Sequence, residues 1–154
     1  MHYRTAVPED IPRLAEVRLA VRENVLRNPA LVTGAHYLDY LTRRGRGWVA
    51  EENSRIVGFT IVDMQEHSVW ALFVHPDFAG QGIGKQLHHQ LLTWYFGQTS
   101  ESVWLSTAPG TRAEEFYRRQ GWQDTGRTGS GEVRFELTVG AWEDKKPGDQ
   151  KTNK

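Results

Sequence analysis

The spacing of apolar positions along this chain changes period several times, and each change marks a boundary between elements. Residues 2–6 form a predicted strand, and after Pro8-Glu9-Asp10 the residues Ile11, Leu14, Val17, Val21 and Val25 fall near one face of a helix. Asn28-Pro29 breaks that helix, and Tyr37, Leu38 and Leu41 mark a second one ending near Arg44-Gly45. Three strands follow in succession, at Trp48-Val49-Ala50, from Arg55 to Val62 and from Val69 to Val74, with turns at Glu52-Asn53-Ser54 and around Gln65-Glu66. They predict an antiparallel meander.

Beyond the meander the helical period returns. Ile83, Leu87, Leu91 and Tyr95 recur every fourth residue and define one buried helix face. Val103-Trp104-Leu105 is the next strand, and the strand-helix-strand succession predicts a right-handed crossover between parallel neighbours. Thr111 and Glu114 have capping-box spacing at the start of a further helix, and Gly121 stands where its C-terminal cap belongs. A hairpin around Gly126 to Gly131 leads into a last strand, with Val133, Phe135, Leu137 and Val139 alternating against polar residues. Residues 1–142 are expected to form one domain, and the polar stretch 143–154 a disordered tail.

Chemistry concentrates where the third meander strand ends. Leu72-Phe73-Val74 runs through His75-Pro76 into Ala79-Gly80-Gln81-Gly82-Ile83-Gly84-Lys85, an apolar strand feeding a glycine-rich turn that opens a helix. Glycines at alternate positions let a backbone approach an oxyanion closely, and a helix N-terminus offers unpaired N–H groups at its positive dipole end. The turn is therefore a candidate phosphate seat. Two common phosphate loops do not fit. The dinucleotide fingerprint needs a third glycine where Lys85 stands, and the P-loop needs four residues between its glycines where Gly80 and Gly84 enclose three.

The segment Ala79 to Gly84 instead resembles the Gln/Arg-x-x-Gly-x-Gly/Ala pyrophosphate loop of the GNAT family of N-acetyltransferases, with Ala79 where the family usually has Gln or Arg. A second motif agrees: Ala113 to Trp122 resembles the family's late helix, Ala-x-x-x-Tyr-x-x-x-Gly-Phe, with Trp122 in place of Phe. The element order β-α-α-β-β-β-α-β-α-β-β extends the resemblance over nearly the whole chain. It implies an α/β (α+β) fold, a mixed and mainly antiparallel sheet of six to seven strands with about four helices. It also implies acetyl transfer from acetyl-CoA to a primary amine by direct attack in a ternary complex. Gly80, Gln81, Gly82, Ile83, Gly84 and Lys85 would hold the pyrophosphate, and Leu72, Phe73 and Val74 would bind the pantetheine arm along a strand edge splayed from residues 104–107. Tyr117 would be the general acid for the departing thiolate. Alternatives from other classes are a non-catalytic acyl-CoA-binding module and a transferase of longer acyl groups.

Composition narrows the setting. The chain has 154 residues, a formal net charge of +0 and no cysteine, so a disulfide scaffold, a thiolate zinc site and a cysteine nucleophile are excluded. Neutral charge without basic-aromatic interleaving argues against nucleic acid, and no apolar run approaches the roughly 18 residues of a membrane span. A cytoplasmic protein without metal is expected, with a small-molecule or peptide amine as acceptor and a homodimer as an option. Asp63, Glu66 and His67 are candidate bases, and Ser106 and Thr107 are candidates to order a water; none of them is selected. The adjacent pair His88-His89 cannot chelate one metal and is expected on a solvated face, as is the basic run Arg43, Arg44 and Arg46. His75 is expected to cap backbone at the strand end.

Overall fold

The computed structural model describes residues 1–21 and 33–145, and the chain divides into two compact units, Met1–Tyr95 and Phe96–Lys154. Among the described residues there are seven strands and five α-helices, an α+β composition.

In the first unit, β1 (His2–Thr5), β2 (Gly45–Glu52), β3 (Arg55–Asp63) and β4 (Ser68–Val74) lie side by side in chain order, each antiparallel to the next. The predicted meander is therefore present. The β2–β3 turn places Asn53 and Ser54 at φ of 52° and 66°, the left-handed pair that matches the twist of a tight hairpin. Strand β3 is buried from Ile56 to Asp63, which explains its nearly unbroken apolar run: both faces are covered. On one face, α1 (Ile11–Ala20) and α2 (Gly34–Asp39) contribute Leu14, Val17 and Tyr37 to a core with Phe59, Ile61 and Ala71. On the other lies α3 (Ile83–Gln98), so close that a Cβ on Gly58 would stand 3.2 Å from Ile83 Cγ2 and 3.3 Å from Leu87 Cδ1. The predicted stripe Ile83, Leu87, Leu91 and Tyr95 is buried throughout, and each aliphatic side chain contributes about 1.5–3 kcal/mol.

Two local departures shape this unit. Helix α1 stops at Ala20, and the β-branched Val21 is extended at φ −70°, ψ 135°, so it leaves the predicted stripe; Val25 and the break at Asn28-Pro29 lie outside the described residues. Helix α2 opens into a π-helical turn over Tyr40–Arg44, where Thr42 Oγ1 donates 2.6 Å to the Leu38 carbonyl and competes with the helical ladder.

The second unit contains β5 (Val103–Thr107), α4 (Arg112–Arg119), β6 (Gln123–Arg127), β7 (Val133–Leu137) and α5 (Val139–Lys145). Its strands are antiparallel in the order β5-β7-β6, and Val133, Phe135 and Leu137 alternate inward as predicted. Val139 does not continue that strand. Thr138 caps a helix there, its Oγ1 accepting from Ala141 N–H at 3.1 Å and its carbonyl from Trp142 N–H at 3.0 Å. The helix carries the chain through Lys145, and the rest of the C-terminal stretch lies outside the described residues.

Candidate functional site

Strand β4 ends in a 3₁₀ turn over Pro76–Phe78, whose start is fixed by His75: its Nδ1 accepts from Asp77 N–H at 3.1 Å. His75 is thus a cap, as expected. The chain then makes two left-handed steps, Gly80 at φ 79° and Gly82 at φ 82°, before α3 begins. A Cβ at either position would meet nothing within 4 Å, so the loop surface is open there. The first bond of the helix joins Gln86 N–H to the Gly82 carbonyl at 3.1 Å, which leaves the amides of Ile83, Gly84 and Lys85 without an intrahelical acceptor. Ile83 is buried while Gln81 and Lys85 are exposed, so Ile83 anchors the turn and Lys85 adds a cation at its rim. An anion bound here would meet consecutive N–H groups and the positive end of a 16-residue helix.

In the second unit the late-helix motif resolves into a capping device. Thr111 Oγ1 accepts from Glu114 N–H at 3.2 Å, but Glu114 Oε1 reaches back to Gly110 N–H at 2.7 Å and not to Thr111, one residue beyond an ordinary capping box. At the other end Gly121 sits at φ 93°, its N–H bonded to the Arg118 carbonyl at 3.2 Å, while Trp122 N–H bonds the Tyr117 carbonyl at 3.0 Å. Those two bonds form a Schellman motif, and the Tyr117–Trp122 ring contact at 5.5 Å is its hydrophobic seal. The spacing Tyr-x-x-x-Gly-Trp is therefore that of a helix stop which fixes the Tyr117 ring. Tyr117 is buried against Trp122 and Phe135, and burial pushes its phenol well above the ordinary tyrosine value, so it stays protonated.

The sequence profile of the Acetyltransferase (GNAT) family matches residues 13–122, which include both motifs. The chain belongs to that family. Among curated relatives, the peptidyl-lysine N-acetyltransferase YjaB of Salmonella typhimurium is 37% identical over 82 residues, 53% of this chain and 52% of that protein. The mycothiol acetyltransferase of Propionibacterium freudenreichii is 29% identical over 110 residues, 68% of this chain and 35% of that protein. The matches thus span about half of the first relative and about a third of the second. Solved structures share the GNAT fold at low identity. The ribosomal-protein-S18-alanine N-acetyltransferase of Escherichia coli gives a TM-score of 0.73 at 15% identity, over 90% of this chain and 93% of that one. The PaiA N-acetyltransferase of Thermoplasma acidophilum, solved with coenzyme A, gives 0.76 at 15% identity, over 90% and 98%.

Within this GNAT chain the remaining candidates are engaged elsewhere. Asp63 is 2% exposed and accepts from Arg44 Nε at 3.2 Å and Nη2 at 2.6 Å, and from Gln65 N–H at 3.0 Å. Arg44 is accordingly not a solvated charge: it closes that pair and lies 4.7 Å over the Tyr40 ring. Arg43 pairs with Asp39 at 2.6 Å, and Arg46 lies 4.9 Å over Trp94. His67, at φ 56°, shares a 2.9 Å hydrogen bond with Tyr95 Oη, and Ser106 Oγ donates to Glu132 at 2.7 Å. Glu66 is exposed and Thr107 is buried. His88 departs from expectation, being buried on α3 beside the Leu87 stripe, while His89 is exposed.

Three aromatics and one arginine were not selected from the sequence. Strand pairing runs Ile61 with Ala71 and Val62 with Val69, so Trp70 is an extra residue in a β-bulge. It packs at 4.0 Å on the ring of Tyr40 and edge-on at 5.4 Å to Tyr37. Arg18, on the same side of the sheet, lies 4.1 Å over the ring of Phe73. Its signal was present in the sequence: Arg18 stands four residues after Leu14, a charge interrupting an apolar stripe.

Proposed function

We propose that this protein transfers the acetyl group of acetyl-CoA to a primary amine by direct attack in a ternary complex. The observation that carries the reading is the open, doubly left-handed loop from Gly80 to Lys85 with its unpaired amides at the start of α3. This is a backbone cradle for a pyrophosphate, and family membership supports coenzyme A as its owner. When bound, acetyl-CoA supplies the thioester. Leu72, Phe73 and Val74 present their backbone to the pantetheine arm, and an N–H of that strand polarises the thioester carbonyl. The neutral amine adds to the carbonyl carbon, the C–S bond breaks, and the thiolate takes a proton from the Tyr117 phenol, which burial keeps protonated at neutral pH; the surplus proton on the attacking nitrogen leaves to solvent as the amide forms, and solvent returns a proton to the phenolate. The names of those proteins give peptidyl-lysine and an alanine of ribosomal protein S18 as their acceptors, in keeping with an amine acceptor here.

Calorimetric titration with acetyl-CoA and with free CoA tests the reading, followed by thiol release on a panel of primary amines. Binding of both ligands, and release of thiol dependent on an amine, are the expected results. Absence of acetyl-CoA binding would sink the proposal, and binding without turnover on any amine would favour an acyl-CoA-binding module.

A further inference from the structure

Helix α1 turns its apolar stripe to the sheet through Ile11, Leu14 and Val17, and Arg18 is the next side chain on that stripe, four residues after Leu14. The guanidinium is half-buried, with its face on Phe73 at 4.1 Å, and Phe73 in turn packs on Phe59 at 5.9 Å. A cation–π contact uses the face of the guanidinium and leaves its five N–H groups along the edge. Nη1 is shut off from solvent and has no hydrogen-bond partner among the described residues. Among the described residues, the carboxylates of the first unit include several committed to other arginines: Glu16 pairs with Arg13 at 3.0 Å, Asp10 and Glu51 with Arg4 at 2.9 and 3.1 Å, and Asp63 with Arg44. Among the described titratable groups, Tyr37 is the one whose field Arg18 feels, and the two oppose the shifts that burial imposes on each other.

A guanidinium that is half-buried, with one nitrogen sealed from water and no anion on it among the described residues, is costly, and a ligand carboxylate would offset that cost. Phe73 belongs to the strand segment that the proposed function sets against the thioester, so on that reading the guanidinium stacked on it stands close to where an acceptor amine would arrive.

We propose that Arg18 binds the carboxylate of the acceptor, which is a small primary amine carrying a carboxylate close to its amino group, and that Arg18 thereby sets acceptor specificity. The inference rests on the acetyltransferase reading. A planar carboxylate takes two parallel N–H bonds from the guanidinium edge, a fit that an uncharged amide reproduces with one oxygen only.

The experiment measures thiol release from acetyl-CoA with matched pairs of acceptors, L-amino acids and their carboxamides, for the wild type, Arg18→Met and Arg18→Lys. The quantity read is the ratio of kcat/KM for acid to that for amide, so the differing basicities of the two amines cancel between proteins. The ratio is expected to fall roughly 10- to 100-fold in Arg18→Met, the range of a hydrogen bond to a charged group, and by less in Arg18→Lys, with turnover of the amides maintained. A ratio unchanged by both substitutions overturns the assignment. Wild-type protein that binds acetyl-CoA but acetylates no member of the panel overturns it too, leaving the cofactor reading intact. A wild type that fails to bind acetyl-CoA overturns both. Should Arg18→Met not fold, Arg18→Lys decides, with a fall of about threefold or more required.

Discussion

Replacing Gly82 by alanine separates two roles of the proposed phosphate loop, because its cost to the fold and its cost to the ligand arise from different atoms. Gly82 sits at φ 82°, where an L-residue costs about 1–2 kcal/mol, and a Cβ there would meet no protein atom within 4 Å, so nothing steric adds to that cost. For a chain of this size 1 kcal/mol lowers Tm by about 2–4 °C, so Gly82→Ala should melt about 2–8 °C below the wild type. The cost to the ligand is separate, since a methyl on the open surface of the cradle keeps a phosphate oxygen from one of its N–H donors. At about 1.5–3 kcal/mol for each such bond, the Kd for CoA should rise roughly 10- to 100-fold. Gly84 is the control: its φ is not left-handed, and a Cβ there would make an ordinary 3.7 Å contact with Val74 Cγ2, so Gly84→Ala should match or exceed the wild type in stability. The assays are thermal melting and calorimetric titration with CoA, beside turnover of acetyl-pantetheine, which has no pyrophosphate. Gly82→Ala with unaltered CoA affinity, or with acetyl-pantetheine turnover reduced as much as that of acetyl-CoA, would refute the assignment of the loop.

Tyr117→Phe should keep acetyl-CoA affinity within about twofold while kcat falls about 100-fold, the lower end of what a positioned acid supplies. Because burial raises the phenol above its ordinary value, kcat of the wild type should show no alkaline loss from Tyr117 below about pH 10; such a limb, removed by Tyr117→Phe, would contradict its role. Gly121→Ala places a side chain at φ 93° inside the Schellman motif and should lower stability by about 1–2 kcal/mol in denaturant melts; a neutral result would mean the helix stop is not needed. The Asp124 carboxyl is held at about 2 by the Gly126 N–H first, then by Arg118 and Arg127. A carboxylate depressed in the folded state stabilises above its unfolded value of 3.8 and loses that contribution as pH falls through about 2, so urea midpoints should decline from pH 5 toward 2.5 less steeply in Asp124→Asn than in the wild type; parallel curves would rule this out.

Periodicity alone determined most of the elements. The Ile83 to Tyr95 stripe, the alternation of Val133, Phe135 and Leu137, and the continuous apolar run of β3 each reported which faces of their own backbone are covered, and burial has the period of the local structure. The glycine-rich turn was legible for the same reason: left-handed steps at Gly80 and Gly82 demand glycine locally, whatever surrounds them. Where a polar group had to find a partner far along the chain, the sequence was silent. Arg44 looked like one of three surface cations until folding set it against Asp63, nineteen residues away. His88 looked solvated because its burial depends on what packs over α3. Val139 fitted the alternation of β7, yet the hydroxyl of Thr138 starts a helix there. Trp70 needed the bulge to reach Tyr37 and Tyr40, and Arg18 needed β4 beneath α1 before its charge stood over Phe73. Hydrophobic pattern is additive and local, so one strand or helix carries it alone; the pairing of charges and rings is decided by distances that exist only after the elements have packed.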